Sequence, residues 1–222
     1  MADEFSHHNP DDNRPMENDP GKLREQLVQL RAQLEAARQK LEKMESETLV
    51  DALTGVRNRR AMEHDLNQRL SEWHRYGARF SLLMIDVDSL KAVNDRFGHL
   101  AGDALLRKTA QLLKAQLRRC DSLFRLGGDE FVAILPNTNA EESLIAAERL
   151  CQQVARQVIE FDRQPVMTTV SIGIAEVEIN DTFESILRKA DEMMYRGKSR
   201  GGNQCCAAAA KPNDAIRKRP PE

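Results

Sequence analysis

The 222 residues suit one domain of ordinary size with extensions, and 41% hydrophobic residues are enough for a core. A formal net charge of −2 gives no global pull toward nucleic acid or anionic membrane, and no apolar run reaches the ~18 residues needed to span a bilayer. The N-terminal stretch lacks an apolar signal core, and the four cysteines have no CxxC spacing, so a reduced, cytoplasmic setting with free thiols is expected.

Residues 1–20 are polar, with Pro10, Pro15, Pro20 and six acids, and are expected to be a disordered head. Residues 21–50 read as a coiled-coil stalk. Leu23, Leu27, Leu30, Leu34, Ala37, Leu41, Met44 and Thr48 alternate at spacings of four and three, and all but Thr48 are apolar. Arg24, Arg31 and Arg38 flank this seam on one side; Gln26, Gln33, Lys40 and Glu47 flank it on the other. A parallel homodimer pairs Lys40 with Glu45 of the second copy and leaves the arginines facing glutamines, a weakly self-complementary pattern. Two readings follow: a self-sufficient dimer with a solvated basic flank, or a modest dimer whose arginine stripe accepts an acidic regulatory protein.

Thr54 and Gly55 break the helix, and Asn58 caps the next one, expected over Arg59–Tyr76. Phe80–Ile85 is an apolar strand delivering Asp86-Val87-Asp88 at its C-terminal end, where ligands usually sit in α/β sheets. A short irregular or helical stretch runs to His99, and Gly102-Asp103 opens a helix to about Leu117. Asp121–Leu126 and Phe131–Leu135 read as hairpin strands, Asn139–Val158 as a helix, Met167–Val177 as a strand and Thr182–Gly197 as a helix. Asn203–Ala207 reads as a short edge strand, and 208–222 as a flexible tail. The order predicts an α+β domain over 51–207, with a mostly antiparallel sheet, helices on one face and the site on the other.

Within the hairpin, Arg125-Leu-Gly-Gly-Asp-Glu-Phe131 places two glycines and two adjacent acids between apolar runs. Gly-Gly there reads as a tight turn, and Asp129 beside Glu130 repel each other unless a cation neutralises them. Alone, this is equally a surface hairpin with solvated acids; Asp86 at the end of a separate strand favours a cation site. Three carboxylates on two strands form a hard-oxygen set suited to Mg²⁺ or Mn²⁺, with Asp88 read as a cap for the following turn.

The RLGGDEF stretch resembles the signature of GGDEF-domain diguanylate cyclases, which join two GTP into cyclic di-GMP and release pyrophosphate. Asp51-Ala-Leu-Thr-Gly-Val-Arg-Asn-Arg-Arg60 and Ala190-Asp-Glu-Met-Met-Tyr-Arg-Gly-Lys198 match further family segments, so the resemblance covers roughly 48–206. It implies the palm-like fold of nucleotidyl cyclases and two divalent ions per active site. Their ligands would be Asp86, the Val87 carbonyl, Asp129 and Glu130, with Asp129 also taking the 3′-hydroxyl proton. It further implies that Asn94 and Asp103 read guanine, that His99 contacts substrate and that Lys91 and Lys198 hold the triphosphate. His99 is equally a histidine positioning its loop. The chain departs from the family pattern at Val56, Leu90, Gly197 and Gly202; Gly202 replaces a phosphate-binding arginine, for which Arg200 is the nearest substitute. Arg118-Arg-Cys-Asp121 matches the family's inhibitory RxxD, where product docks, and Arg149 matches its third member.

A product with two-fold symmetry needs two sites face to face, so a homodimer is implied, and a coiled coil raises the local concentration of domains to around millimolar. The layout resembles SiaD-type cyclases, which would imply a small regulatory protein on the stalk. Rival readings are a non-catalytic cyclic di-GMP receptor, against which the intact acids argue, and a hybrid cyclic GMP-AMP synthase, which Asp103 disfavours. One residue inserted near Thr48 turns the helix phase by about 100° and is expected to lower turnover; unchanged turnover in a product assay would defeat the idea that stalk phase controls domain closure.

Overall fold

The computed structural model describes residues 20–47 and 49–208. Residues 1–19 of the expected head at 1–20, Thr48, and residues 209–222 of the expected tail at 208–222 lie outside the described residues. Chain contacts divide the protein at Glu47/Thr48. The first unit contributes one helix, α1 (Pro20–Glu47), 28 residues long and so about 42 Å. Pro20 stands at its first position, where a missing N–H leaves no bond unmade. Leu27, Leu30 and Leu34 form an exposed apolar stripe along the helix (50%, 63% and 58% exposed).

The second unit contains β1 (Arg57–Asn58), α2 (Arg59–Tyr76), β2 (Phe80–Val87), α3 (Leu90–Phe97), α4 (His99–Gln116), β3 (Ser122–Gly127), β4 (Glu130–Pro136), α5 (Ala140–Ala155), β5 (Val158–Phe161), β6 (Gln164–Met167), β7 (Val170–Glu176), α6 (Phe183–Ser199) and β8 (Cys205–Ala207). The main sheet runs β1-β3-β4-β2-β7-β8. It is antiparallel at the centre and parallel at both edges, where β1 joins β3 and β8 joins β7.

Side-chain caps set several boundaries. Asn58 Oδ1 accepts from the Ala61 amide at 3.1 Å, and Gly77 ends α2 in the left-handed region. Asn139 with Glu142 and Thr182 with Ser185 form reciprocal caps on α5 and α6.

Helices do not lie on one face, contrary to the expectation from sequence. Alternate residues of the central strands feed two cores. Leu83, Ile85, Phe131, Ala133 and Ile172 pack with α4 and α5, while Leu82, Met84, Val132 and Ile134 pack with α2 and α6. All eight residues of β2 are buried. Its apolar residues, Phe80, Leu82, Leu83, Met84 and Ile85, do not alternate with polar ones, the signature of a strand covered on both sides.

Two further boundaries differ. The α4 helix starts at His99, after a break at Gly98 (φ 83°, ψ 165°), and Gly102 lies within it. Gly102 permits a close approach: a Cβ there would collide with Asn94 Oδ1 on α3. After α5, residues 158–167 form a separate hairpin, with Val158 opposite Met167 and Phe161 opposite Gln164. Its turn residues Asp162 and Arg163 both take positive φ (47° and 63°), a role usually signalled by Asn or Gly.

Candidate active site

Strand pairing brings the acidic segments together. In the β2–β4 ladder Ile85 faces Phe131 and Asp86 faces Glu130. The Val87 amide donates to the Asp129 carbonyl at 3.1 Å, closing the ladder across the turn. Gly127 ends β3 at φ 148°, and the turn proper is Gly128-Asp129, with Gly128 at φ 53°. Open space lies above both glycines where a side chain would project, so a ligand can approach the backbone.

Asp86 is only 4% exposed. Lys198 reaches it from α6, with Nζ 2.6 Å from Oδ2. Burial pushes the Asp86 carboxyl up, the bond from Lys198 opposes this, and nearby Asp129 and Asp88 add to the rise, leaving it at about 6. The side chains of Asp129 and Glu130 are half-buried and make no hydrogen bond or ion pair among the described residues. Adjacent acids with a raised carboxyl and one lysine are short of positive charge, and their hard oxygens fit a divalent ion. As the side chains stand, no group of three acids, histidines or cysteines is closed to ligating distance among the described residues. The backbone register is in place; the carboxylates are not drawn together.

Asp88 does not cap the turn that follows it. Its carboxylate accepts from the hydroxyls of Thr169 (2.6 Å) and Ser171 (2.7 Å) on and before β7 and from the Asn203 amide (2.9 Å). It therefore ties the α6–β8 segment to the sheet. Ser89, next in line, caps α3 without a side-chain bond, at φ 60°. Gly202 (φ 74°) leans on the same carboxylate, where a Cβ would stand 3.1 Å from Asp88 Oδ1, so this backbone disfavours any side chain at 202.

Asn94 and Asp103 lie on the paired helices α3 and α4. Asn94 Oδ1 is buried with no partner, an arrangement that costs about 1–3 kcal/mol unless something donates to it. Lys91 and His99 are exposed on the same two helices. Lys91, His99 and Asp103 make no hydrogen bond or ion pair among the described residues, so the structure does not join them to the acid corner.

A second constellation assembles at the far end of α4. Arg118, Asp121 and Arg149 line one shallow cavity with Glu142, Ile145 and Thr138. Asp121 Oδ2 accepts from the Arg118 amide at 2.7 Å, and Arg149 Nη2 donates to the Gln116 carbonyl at 2.8 Å.

Arg125 and Asp51 were assigned no role from sequence, yet they hold the turn. Arg125 Nη1 donates to Asp51 Oδ1 and Oδ2 at 3.0 and 3.2 Å, and its Nε and Nη2 donate to the Gly128 carbonyl at 3.1 and 2.7 Å. Burial pushes the Asp51 carboxyl up, but bonds from Thr54 and Arg125 outweigh it and hold the carboxyl below the usual range. The available signal was an arginine inside an apolar strand run, which needs acceptors. Arg125→Ala is expected to cost about 1–3 kcal/mol of stability and, by loosening the turn, roughly 10- to 100-fold in turnover. Arg125→Lys, lacking the planar fork, should fall between. Denaturant midpoints and product assays check both.

The fold and this corner define a nucleotidyl-cyclase type of domain. The family described as diguanylate cyclase, GGDEF domain, matches residues 48–204, and the chain belongs to it. Diguanylate cyclase DgcP of Pseudomonas aeruginosa is 37% identical over 179 residues, which is 81% of this chain and 27% of that protein. Among solved structures, diguanylate cyclase SiaD in complex with its activator SiaC, from Pseudomonas aeruginosa, superposes with a TM-score of 0.71 at 29% identity, covering 85% of this chain and 74% of that one. The coiled coil and GGDEF domain of DgcB from Caulobacter crescentus, in complex with c-di-GMP, gives 0.70 at 28% identity, covering 84% and 99%. The chain spans between about a quarter and a half of the length of the curated relatives it matches. No helix among the described residues is long and apolar enough to cross a membrane.

Proposed function

We propose that this chain condenses two GTP into cyclic di-GMP with release of two pyrophosphates, as a homodimer. The observation that carries the reading is the register of Asp86 against Glu130, with Lys198 on Asp86, in a chain of this family. Asp86, the Val87 carbonyl, Asp129 and Glu130 are the groups that would hold two Mg²⁺ or Mn²⁺. Such ions neutralise phosphoryl oxygens and lower the pKa of an attacking hydroxyl.

The chain's own groups do the rest. Asp129, at the turn over open space, takes the proton of the 3′-hydroxyl. Lys198 is already at the corner, and its ammonium exchanges Asp86 for phosphate oxygens when nucleotide arrives. Lys91 and His99, exposed at the starts of their helices, face substrate. Asn94 and Asp103 read guanine, with the Asp103 carboxylate accepting from its N1–H and 2-amino group. With Gly202 held against Asp88, Arg200 is the remaining cation in that segment for the triphosphate.

The exposed leucines of α1 pair with a second copy and raise the encounter rate of two loaded domains. The solved SiaD relative is described with an activator, SiaC, and by analogy the arginine stripe of the stalk takes an acidic regulatory protein. The cavity at Arg118, Asp121 and Arg149 takes product and slows turnover; guanidinium forks suit its phosphates. Arg118→Ala should leave the initial rate within about twofold but abolish the slowing by added product, because its side chain makes no hydrogen bond or ion pair among the described residues; progress curves with and without added product decide this.

Incubation with GTP and Mg²⁺ followed by chromatography tests the reaction. Cyclic di-GMP from the wild type and none from Asp129→Asn supports it. Unconsumed GTP with folded protein, or equal product from the variant, overturns it.

A further inference from the structure

Two thiols outside the acid corner lie in contact. Cys151 on α5 is buried, and its Sγ sits 3.1 Å from that of Cys205 on β8. The Cys151 thiol also bonds the Val170 carbonyl at 3.3 Å, which fixes its direction. Neighbouring residues of a strand point to opposite faces, so the adjacent Cys206 is turned away. Its sulfur lies against Gly197 of α6, 3.7 Å from where a Cβ would be. Cys205 alone of the pair faces α5. The fourth cysteine, Cys120, is exposed on the turn before β3.

From this geometry we infer that Cys151 and Cys205 are a disulfide-forming pair, a modification site for a peroxide oxidant that locks β8 to α5. The sulfurs need to close by about 1 Å to reach a covalent length near 2.05 Å. Contact with Cys205 and burial push the Cys151 thiol well up, so it is the slower nucleophile. Cys205, half-buried, meets the oxidant first. Its sulfur displaces one water from hydrogen peroxide and becomes a sulfenic acid. Cys151 sulfur then attacks the Cys205 sulfur, the S–O bond breaks, and the Cys151 proton leaves with the hydroxyl as a second water. Two thiols lose two electrons in all, and the peroxide takes them. A dithiol reductant reverses the bond.

The bond would matter because β8 is weakly held. It is three residues long and, among the described residues, pairs on one side only, with Ile172, Gly173 and Ile174 of β7. Such edges open early. The segment entering β8 is the one Asp88 ties down through the Asn203 amide, and the Gln204 carbonyl accepts from the Ile172 amide at 2.9 Å. A covalent link at Cys205 fixes the far end of that segment.

The test uses the full chain treated with dilute hydrogen peroxide, read by intact mass, non-reducing peptide mapping and amide hydrogen exchange, none of which depends on the cyclase reading. Loss of two hydrogens, a linked pair of peptides containing Cys151 and Cys205, and exchange at 203–207 slowed by about tenfold or more support the inference. Cys206→Ser should keep the link and the slowing. Cys151→Ala should abolish both while reduced wild type and variant exchange alike. The inference is overturned by a link between Cys205 and Cys206, by a Cys120-linked dimer or by over-oxidation with Cys151 still open to alkylation. Equal slowing in oxidised Cys151→Ala also overturns it.

Discussion

Asp86→Asn is expected to reduce cyclic di-GMP synthesis by roughly 10³-fold or more while making the metal-free fold more stable at pH 8. The loss follows from removing the one acid that β2 contributes, the proposed divalent-ion ligand and the present partner of Lys198. The gain follows from the carboxyl being pushed to about 6 from an ordinary 3.8. A carboxyl raised on folding binds its proton more tightly in the native state. Its stabilising contribution is present below about pH 3.8 and is lost as pH rises through about 6. The difference corresponds to about 3 kcal/mol between those limits, of which the neutral amide recovers a large part at pH 8. Urea unfolding in chelator at pH 4 and pH 8 measures it. The wild type should lose stability relative to Asp86→Asn between the two, and a constant difference would show that this carboxyl is not the strained group. Divalent binding by the wild type should weaken as pH falls below about 6, since protonation removes a ligand.

Asp103→Ala is expected to cost most of the preference for GTP over ATP, a loss of roughly 10²- to 10⁴-fold in relative kcat/KM, with little effect on stability. A carboxylate aimed at guanine's N1–H and amino group is left unpaired by adenine, which offers neither. Asp103 makes no hydrogen bond or ion pair among the described residues, so its loss removes no such bond from the fold. Asn94 is different: its buried Oδ1 occupies the space a side chain at Gly102 would need, and changes at either position should disturb α3–α4 packing as well as GTP affinity. Competition assays with both nucleotides measure the preference; unchanged discrimination in Asp103→Ala would remove it from the base pocket.

Much of the site was legible because its signals are local. The apolar run before Asp86, the glycines before Asp129 and the cap at Asn58 each lie within a few residues of what they specify. The bond partners that matter across the chain carry no such signal. Lys198 and Asp86 are 112 residues apart in sequence, and Arg125 and Asp51 are 74 apart. Asp88 looked like a local cap because sequence shows its neighbours and not Thr169, Ser171 or Asn203. The two-sided sheet was present in the missing alternation of Phe80–Ile85, but helix count alone gives no face. The hairpin at 158–167 was hidden by a turn of Asp162 and Arg163 without glycine and by Pro165 in its second strand.

The central claim is that oxygens from the end of β2 and the β3–β4 turn hold divalent ions against a nucleotide's phosphates. Crystals grown with Mn²⁺ and a GTP analogue blocked at the α-phosphate test it most directly. Anomalous density between Asp86 and the Asp129–Glu130 corner, with Lys198 moved from Asp86 onto phosphate, is the result expected. Bound nucleotide with no ion at that corner and Lys198 still on Asp86 would contradict it.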